Sequence, residues 1–305
     1  MKRKFSFIIL HYNVIEETIK CISSIKENCF SSALCNIVVV DNNSPNKTGV
    51  HLLELYKHDK TVDVMLNEDN LGFARGNNVG IKYARVNYHP DFVVVLNNDT
   101  CIIQRDFIER ILNEWDNDEF AVLGPKILTP NGFNQNPCPK AISSIRILLK
   151  EIIRSYFGLF LVYLNMENKY LELKENVKKT ISVEGCLGRT YQDKQKKRQE
   201  NVKLHGACFV FSNIFFDHYD GFCPYTFLYV EEDILYNLCR QKNLKTVYSP
   251  AIVIAHNENC ATNSVTKTLR KKRIFYYKER LNSLKILYRV LKNKIFFDMK
   301  EWRNV

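Results

Sequence analysis

The pattern of apolar and polar positions changes period repeatedly over the first 125 residues. Residues 5–10 form a short, mostly apolar run, 16–28 carry Ile19, Ile22 and Ile25 at helical spacing, and 37–40 are β-branched throughout. Next, 62–66 reads as a strand, 73–84 as a helix, 92–96 as a strand apolar on both faces, and 106–115 as a helix turning Phe107, Ile108, Ile111 and Leu112 inward. Doubly apolar strands separated by helices predict an α/β chain with a mostly parallel central sheet flanked by helices. Ligands of such sheets bind beyond the carboxyl ends of the strands. Those ends are polar: His11-Tyr12-Asn13, Asp41-Asn42-Asn43-Ser44, Asn67-Glu68-Asp69-Asn70 and Asn97-Asn98-Asp99-Thr100. Turn formation and helix capping account for any one cluster. Four in succession predict a shared rim.

The second half is less regular. Residues 129–139 are rich in Asn and Pro and read as a loop, and 142–163 repeat apolar positions at three and four with Arg146, Lys150, Glu151 and Arg154 opposite. That amphipathic helix fits a core-packed face and a face on membrane or a greasy substrate equally well. Residues 190–203 read as polar and mobile, 207–211 and 217–227 as regular, 232–241 as a helix, and 252–255 as a strand ending at His256. The tail, 267–297, is a long basic helix with Ile274, Tyr277, Leu281, Leu284, Leu287, Val290 and Leu291 in one stripe.

Of the 305 residues 46% are apolar and 25% charged, which excludes disorder, collagen and low-complexity fibre as the main state. The longest apolar stretch, 156–164, falls well short of the roughly 20 residues a membrane-crossing helix needs. The basic start followed by 5–10 lacks a small-residue cleavage site, which points to a protein that is not exported. The ten cysteines contain no Cys-x-x-Cys pair and read as reduced, mostly buried thiols of the cytosol. Net charge is +11, and 267–294 alone hold eleven basic residues against Glu279. A field confined to one end argues for docking on an anionic partner, phospholipid or nucleic acid.

Neither Gly-x-x-x-x-Gly-Lys-Ser/Thr nor Gly-x-Gly-x-x-Gly occurs, so a bound diphosphate needs another counter-charge. A carboxylate at a strand end holding a divalent metal would supply it, and Asp99 suits that role. Here the chain resembles a known family. Leu96-Asn97-Asn98-Asp99-Thr100 is similar to the Asp-x-Asp-type motif of glycosyltransferase family 2, whose members have the GT-A nucleotide-diphospho-sugar transferase fold. Further landmarks follow in order: 7–13 for the first strand and loop, 38–44 for the base-binding carboxylate, and 70–80 for the donor-side turn and helix. Then come His205-Gly206-Ala207-Cys208 for the acceptor side, 227–233 for the general base, and His256 for a late metal-binding histidine. The resemblance covers about residues 6–257.

It implies a GT-A domain over 1–260, with a nucleotide-sugar half at 1–125, an acceptor half at 126–260 and a helical insertion at about 140–203, followed by a basic amphipathic tail at 261–305. Tyr12, Asn13, Asp41, Asn43, Gly72, Arg75, Asn77, Asn97 and Asn98 would face the donor, with Asp41 receiving the imino hydrogen of uracil or thymine. Asp99 and His256 would hold Mn²⁺ or Mg²⁺, Gly206 and Ala207 would line the acceptor, and Glu232, with Glu231 second, would be the base. Two departures stand out: Asn97 replaces the first acid of Asp-x-Asp, and Glu231-Glu232 replaces Glu-Asp, moving the carboxylate out by one methylene. The chemistry asks for these groups independently, because the departing diphosphate gains charge and the acceptor hydroxyl must lose a proton as it attacks. Glu232 at a helix start sits where peptide dipoles favour negative charge.

These implications describe an inverting, metal-dependent hexosyltransferase, of the rhamnosyl or galactosyl type, peripheral on the cytosolic face of the membrane. Its acceptor would be a saccharide on polyprenyl diphosphate, as in capsule or O-antigen assembly. A different class is a nucleic-acid-binding module using the tail, with 194–198 as a second basic patch and Tyr276 and Tyr277 for stacking. No nucleic-acid motif accompanies these residues, so no nucleic-acid partner is expected. A third reading is a silent relative that binds nucleotide-sugar without transfer, since Asn97 weakens the metal site. Read alone, Glu231-Glu232 is ordinary N-terminal helix charge, and His11, His205 and His218 are structural.

Overall fold

The computed structural model describes residues 2–166, 195–257 and 269–293. The chain first runs β1 (Lys4–His11), α1 (Ile15–Cys29), β2 (Leu34–Asp41), α2 (Thr48–Tyr56), β3 (Val62–Leu66), α3 (Gly72–Asn87) and β4 (Phe92–Asn97). After a tight turn come β5 (Thr100–Ile102), α4 (Phe107–Asn117), β6 (Val122–Leu128), α5 (Ile145–Tyr163), β7 (Gln199–Glu200) and β8 (Cys208–Ser212). The last elements are α6 (Asn213–Phe216), α7 (Glu231–Gln241), β9 (Thr246–His256) and α8 (Leu269–Leu291). All strands join one sheet in the order β3-β2-β1-β4-β8-β6-β9-β5, with β7 on β9.

The block β3-β2-β1-β4 is parallel throughout. Beyond it the sheet is mixed: β8 runs antiparallel to β4 and β6, β6 and β9 are parallel, and β5 and β7 pair antiparallel with β9. Successive side chains of β1, β2 and β4 enter opposite cores, which is why their central runs, 7–10, 37–40 and 92–96, are apolar at every position. Ile8, Val38, Val40 and Val95 pack beneath α3, α7 and α8, whereas Phe7, Ile9, Val39 and Val94 pack beneath α1 and α4. Helix α3 comes unusually close to the sheet. A methyl group at Gly76 would lie 2.6 Å from Leu10 Cδ1, and one at Gly80 2.6 Å from Ile8 Cγ2.

Several elements differ from the sequence reading. Helix α2 and strands β5 and β6 are additional, and 217–227 is loop rather than regular structure. Of the stretch read as mobile, 190–194 lie outside the described residues, but 195–203 are anchored: Gln195 is buried, donates to the Asn134 carbonyl at 3.0 Å and accepts from the Tyr248 hydroxyl at 2.7 Å. Helix α5 starts three residues late because the Ser144 hydroxyl caps it by accepting from the Ile147 N–H. Helix α8 is no detached tail. Leu284, Leu287 and Val290 share the core of α3 and α7, and Arg280 pairs with Glu151 of α5 at 2.8 Å. The eight cysteines in the described residues are free thiols; Cys186 and Cys260 lie outside them.

Candidate active site

The end of β4 makes the first part of the site. Asn97 closes the strand, Asn98 and Asp99 form the turn, and Thr100 restarts pairing opposite His256 at the end of β9. This register brings Asp99 Oδ1 to 3.2 Å from His256 Nε2, with both residues 7% exposed. The other ring nitrogen, Nδ1, is 2.7 Å from Gln135 Oε1, an oxygen that can only accept. Nδ1 is thus the nitrogen placed to donate to Gln135, and Nε2 is the one that faces the Asp99 carboxylate oxygen. Two acceptors at that distance repel unless a proton or a metal cation lies between them. Adjacent ligands of an octahedral ion at about 2.1 Å lie about 3 Å apart, so a hard oxygen, an imidazole and this spacing fit Mn²⁺ or Mg²⁺. No third His, Cys, Asp or Glu joins them among the described residues, leaving the remaining positions to substrate oxygens and water.

The second part is the entry to α7. Tyr229 and Val230 both have positive φ, 71° and 72°, a conformation costly for any side chain and worst for a β-branched one. Helix α8 braces them: the Ser283 hydroxyl donates to the Leu228 carbonyl at 3.0 Å, and the Tyr276 ring meets Tyr229 edge-on at 4.8 Å. The bend delivers Glu231 and Glu232 in opposite environments. Glu231 is buried, its Oε1 has no hydrogen-bond partner among the described residues, and burial followed by repulsion from Glu232 pushes its carboxyl up to about 8. Glu232 is half-exposed and lies over Gly206, where a methyl group would come within 2.9 Å of its Oε1. The next residue, Ala207, accepts the Asn97 N–H at 3.0 Å, joining the Glu232 side of the site to the Asp99 turn.

The third part is the rim of β1, β2 and α3. Asp41 is nearly buried and accepts from the Ser44 N–H and hydroxyl, while a methyl group at Gly49 would overlap its Oδ2 at 2.2 Å. His11 lies behind it, bonded through both ring nitrogens to Thr18 and Thr48 at 2.7 and 2.9 Å. Burial lowers its pKa to about 4 against the pull of Asp41, so the ring is neutral at pH 7. Asn13, at φ 65°, donates its backbone N–H to the Ser44 hydroxyl oxygen at 2.9 Å, Tyr12 precedes it half-exposed, and Asn43 donates to the Glu68 carbonyl at 2.7 Å. Gly72 has φ 76° and packs so tightly that a methyl group would sit 2.1 Å from the Phe227 carbonyl oxygen, which also accepts the Phe73 N–H. No side chain fits there, and the contact docks α3 on the segment leading to Glu231.

Two residues expected to face the donor do not. Asn77 is fully buried and donates to the Phe73 carbonyl within α3. Asn98 is turned back onto α1, donating to Thr18 Oγ1 at 3.2 Å, so it positions the turn and leaves Asp99 outward. Arg75 is exposed on α3. The sequence reading overlooked Gln135, which orients His256, and Gly49, which shapes the Asp41 rim, and it gave no separate role to Asn42 of the strand-end cluster. Asn42 accepts the Leu71 N–H at 2.9 Å and donates to the Gly72 carbonyl at 3.1 Å. His205, read as structural, sets its ring edge-on to His256 at 5.9 Å. Its place directly before Gly206 was the available signal. In the second basic patch Arg198 is held by Glu114, Asp118 and Glu200, Lys196 and Lys197 are exposed, and Lys194 lies outside the described residues. Neither tyrosine is presented as a stacking platform, since Tyr276 packs on Tyr229 and Tyr277 on Gly158.

A parallel half continued into a mixed sheet, with helices packed on both faces, is the architecture of the GT-A fold. Solved structures share this fold. S. aureus TarS 1–349 in complex with UDP-GlcNAc is 15% identical with a TM-score of 0.52, covering 95% of this chain and 71% of that one. GalNAc-T7 with UDP, GalNAc and Mn²⁺ is 11% identical with a TM-score of 0.57, covering 95% and 48%. At these identities the likeness is one of fold. The sequence model of Glycosyl transferase family 2 matches residues 6–218, and the chain belongs to that family. Among curated proteins it is 31% identical over 139 residues to the low-salt glycan biosynthesis hexosyltransferase Agl10 of Haloferax volcanii, a match that spans 44% of this chain and 41% of that protein.

Proposed function

We propose that the protein is an inverting, metal-dependent glycosyltransferase that moves a hexose from UDP or dTDP to a hydroxyl of a saccharide carried on a polyprenyl diphosphate, working against an anionic membrane in cell-surface polysaccharide synthesis. The observation that carries the reading is the facing pair Asp99 and His256 at 3.2 Å, with Glu232 joined to the same turn through Gly206, Ala207 and Asn97. The UDP-GlcNAc complex of TarS and the UDP and Mn²⁺ of GalNAc-T7 support the donor class and the metal.

Asp41 accepts the imino N–H of the base; its two oxygens have lone-pair capacity beyond the Ser44 contacts. Asp99 and His256 hold Mn²⁺ or Mg²⁺, which when bound neutralises the charge growing on the leaving diphosphate. Gln135 fixes the His256 ring so that Nε2, not Nδ1, points at the site. Glu232 takes the proton of the attacking hydroxyl across the gap left by Gly206. Glu231, raised to about 8, holds its own proton at neutral pH, which leaves Glu232 as the acceptor of the pair.

The test is a panel of nucleotide-sugars with Mn²⁺, read as release of free nucleoside diphosphate in the presence of saccharide acceptors. Glu232→Gln is expected to lower turnover on the order of 10² to 10⁴ with donor binding retained. Undiminished turnover in that variant removes the assigned base, and donor binding without turnover in the unaltered protein favours the silent relative.

A further inference from the structure

Helix α5 is apolar over most of its circumference, and among the described residues only one side of it is packed against the rest of the fold. Leu148, Ser155, Gly158 and Val162 face inward, Gly158 against the Tyr277 ring of α8. On the opposite side Leu149, Ile153, Tyr156, Phe157, Phe160 and, at the C-cap, Leu164 share one face, and all are exposed, Ile153 by 69% and Phe160 by 57%. Arg146, Lys150 and Arg154 run along the edge of this stripe at the same helical spacing. At its far end Arg270 of α8 donates to the Tyr163 carbonyl at 3.1 Å, which brings the basic run Arg270-Lys271-Lys272-Arg273 beside the last turn of α5. Together α5 and α8 carry eleven Lys and Arg against Glu151 and Glu279, so nine of the eleven net positive charges of the chain lie on this pair.

We infer that this stripe is an interfacial docking helix: α5 lies in the plane of an anionic lipid surface, sinking Ile153, Tyr156, Phe157 and Phe160 among the acyl chains while its arginines and lysines meet lipid phosphates. A wide exposed apolar stripe with basic residues at its edge is what such a surface requires, and the concentration of positive charge selects anionic lipid over a neutral protein face. The inference rests on, and sharpens, the reading of a membrane-borne acceptor. The root of α5 is fastened to the helix that carries the two glutamates: Asp233 Oδ1 accepts the Ile142 N–H at 2.7 Å, and the Asn237 amide donates to the Ile142 carbonyl at 2.9 Å. Docking by α5 therefore fixes the height of Glu232 above the lipid surface, the distance a lipid-linked hydroxyl must reach.

The test uses the whole chain in co-sedimentation with vesicles of phosphatidylcholine, alone and mixed with phosphatidylglycerol. The unaltered protein should bind the mixed vesicles, bind neutral ones weakly and be released by high salt. Arg146→Gln, Lys150→Gln and Arg154→Gln should each weaken partitioning about fivefold. Ile153→Asp with Phe160→Asp should weaken it at least tenfold with an unchanged melting temperature, since both side chains are already in water. Mixed vesicles that fail to bind the unaltered protein, or that bind the double variant equally well, overturn the inference. So does a vesicle-free dimer dissolved by the same two substitutions, which would give the stripe to a second copy. Nucleoside diphosphate release with a soluble saccharide needs no membrane and separates the two readings: vesicle binding without turnover leaves docking standing and removes transfer, and turnover without vesicle binding does the reverse.

Discussion

Replacing Glu231 by Gln isolates a carboxyl that the fold holds out of water with one oxygen unpaired among the described residues. In the unfolded chain this group ionises near 4.5; in the fold burial, and next the negative charge of Glu232, raise it to about 8. Below pH 4.5 both states are protonated and the group costs nothing. As pH rises above 4.5 the unfolded chain releases its proton while the folded one keeps it, so stability declines with pH until the folded group ionises near 8. At about 1.4 kcal/mol per pH unit the loss reaches about 3 kcal/mol at pH 7. Glutamine keeps the shape and has no proton to lose. Urea unfolding of both proteins at pH 5, 6, 7 and 8 should show closely similar stability at pH 5, then a growing advantage for Glu231→Gln of at least 1 kcal/mol by pH 7. Turnover at pH 7 should survive in this variant, because the amide mimics the protonated acid. Parallel stability curves would refute the burial argument, and lost turnover would refute the assignment of the base to Glu232.

Two further outcomes follow from the geometry. Gly72→Ala must place a Cβ 2.1 Å from the Phe227 carbonyl oxygen at a φ of 76°, and should cost about 3 kcal/mol in urea unfolding; a change below about 0.5 kcal/mol would mean that the α3 docking contact is wrongly drawn. Mn²⁺ binding followed by electron paramagnetic resonance in the presence of UDP should weaken on the order of tenfold in Gln135→Leu and more in Asp99→Ala and His256→Ala, and equal affinity in all three would end the metal assignment.

What was legible in the sequence was whatever depends on neighbours along the chain. The strands of the parallel block and helices α1, α3 and α4 announce themselves because burial on one or two faces imposes a period on the residues themselves. The same logic placed polar clusters at strand ends and drew attention to Asp99, whereas the Glu231-Glu232 pair was singled out by the family resemblance. It failed where the deciding partner is remote. Asn98 looks like a rim residue by position, yet it is claimed by Thr18 of α1, 80 residues earlier in the chain.

Helix α5 illustrates the division further. Its amphipathic spacing was visible, but which of its apolar sides is buried was decided by α8, which arrives from the other end of the chain and covers Gly158. The pairing of Asp99 with His256 depends on the register of β5 on β9, and the separate fates of Glu231 and Glu232 depend on a bend held by α8 and on the empty space at Gly206. Composition and periodicity determined the layers of this protein and the kind of side chain at its rim. Only the tertiary structure decided which carboxylate is dry, which histidine nitrogen faces the site and which side of α5 is left in water, because desolvation, tautomer and exposure are set by atoms brought together from distant parts of the sequence.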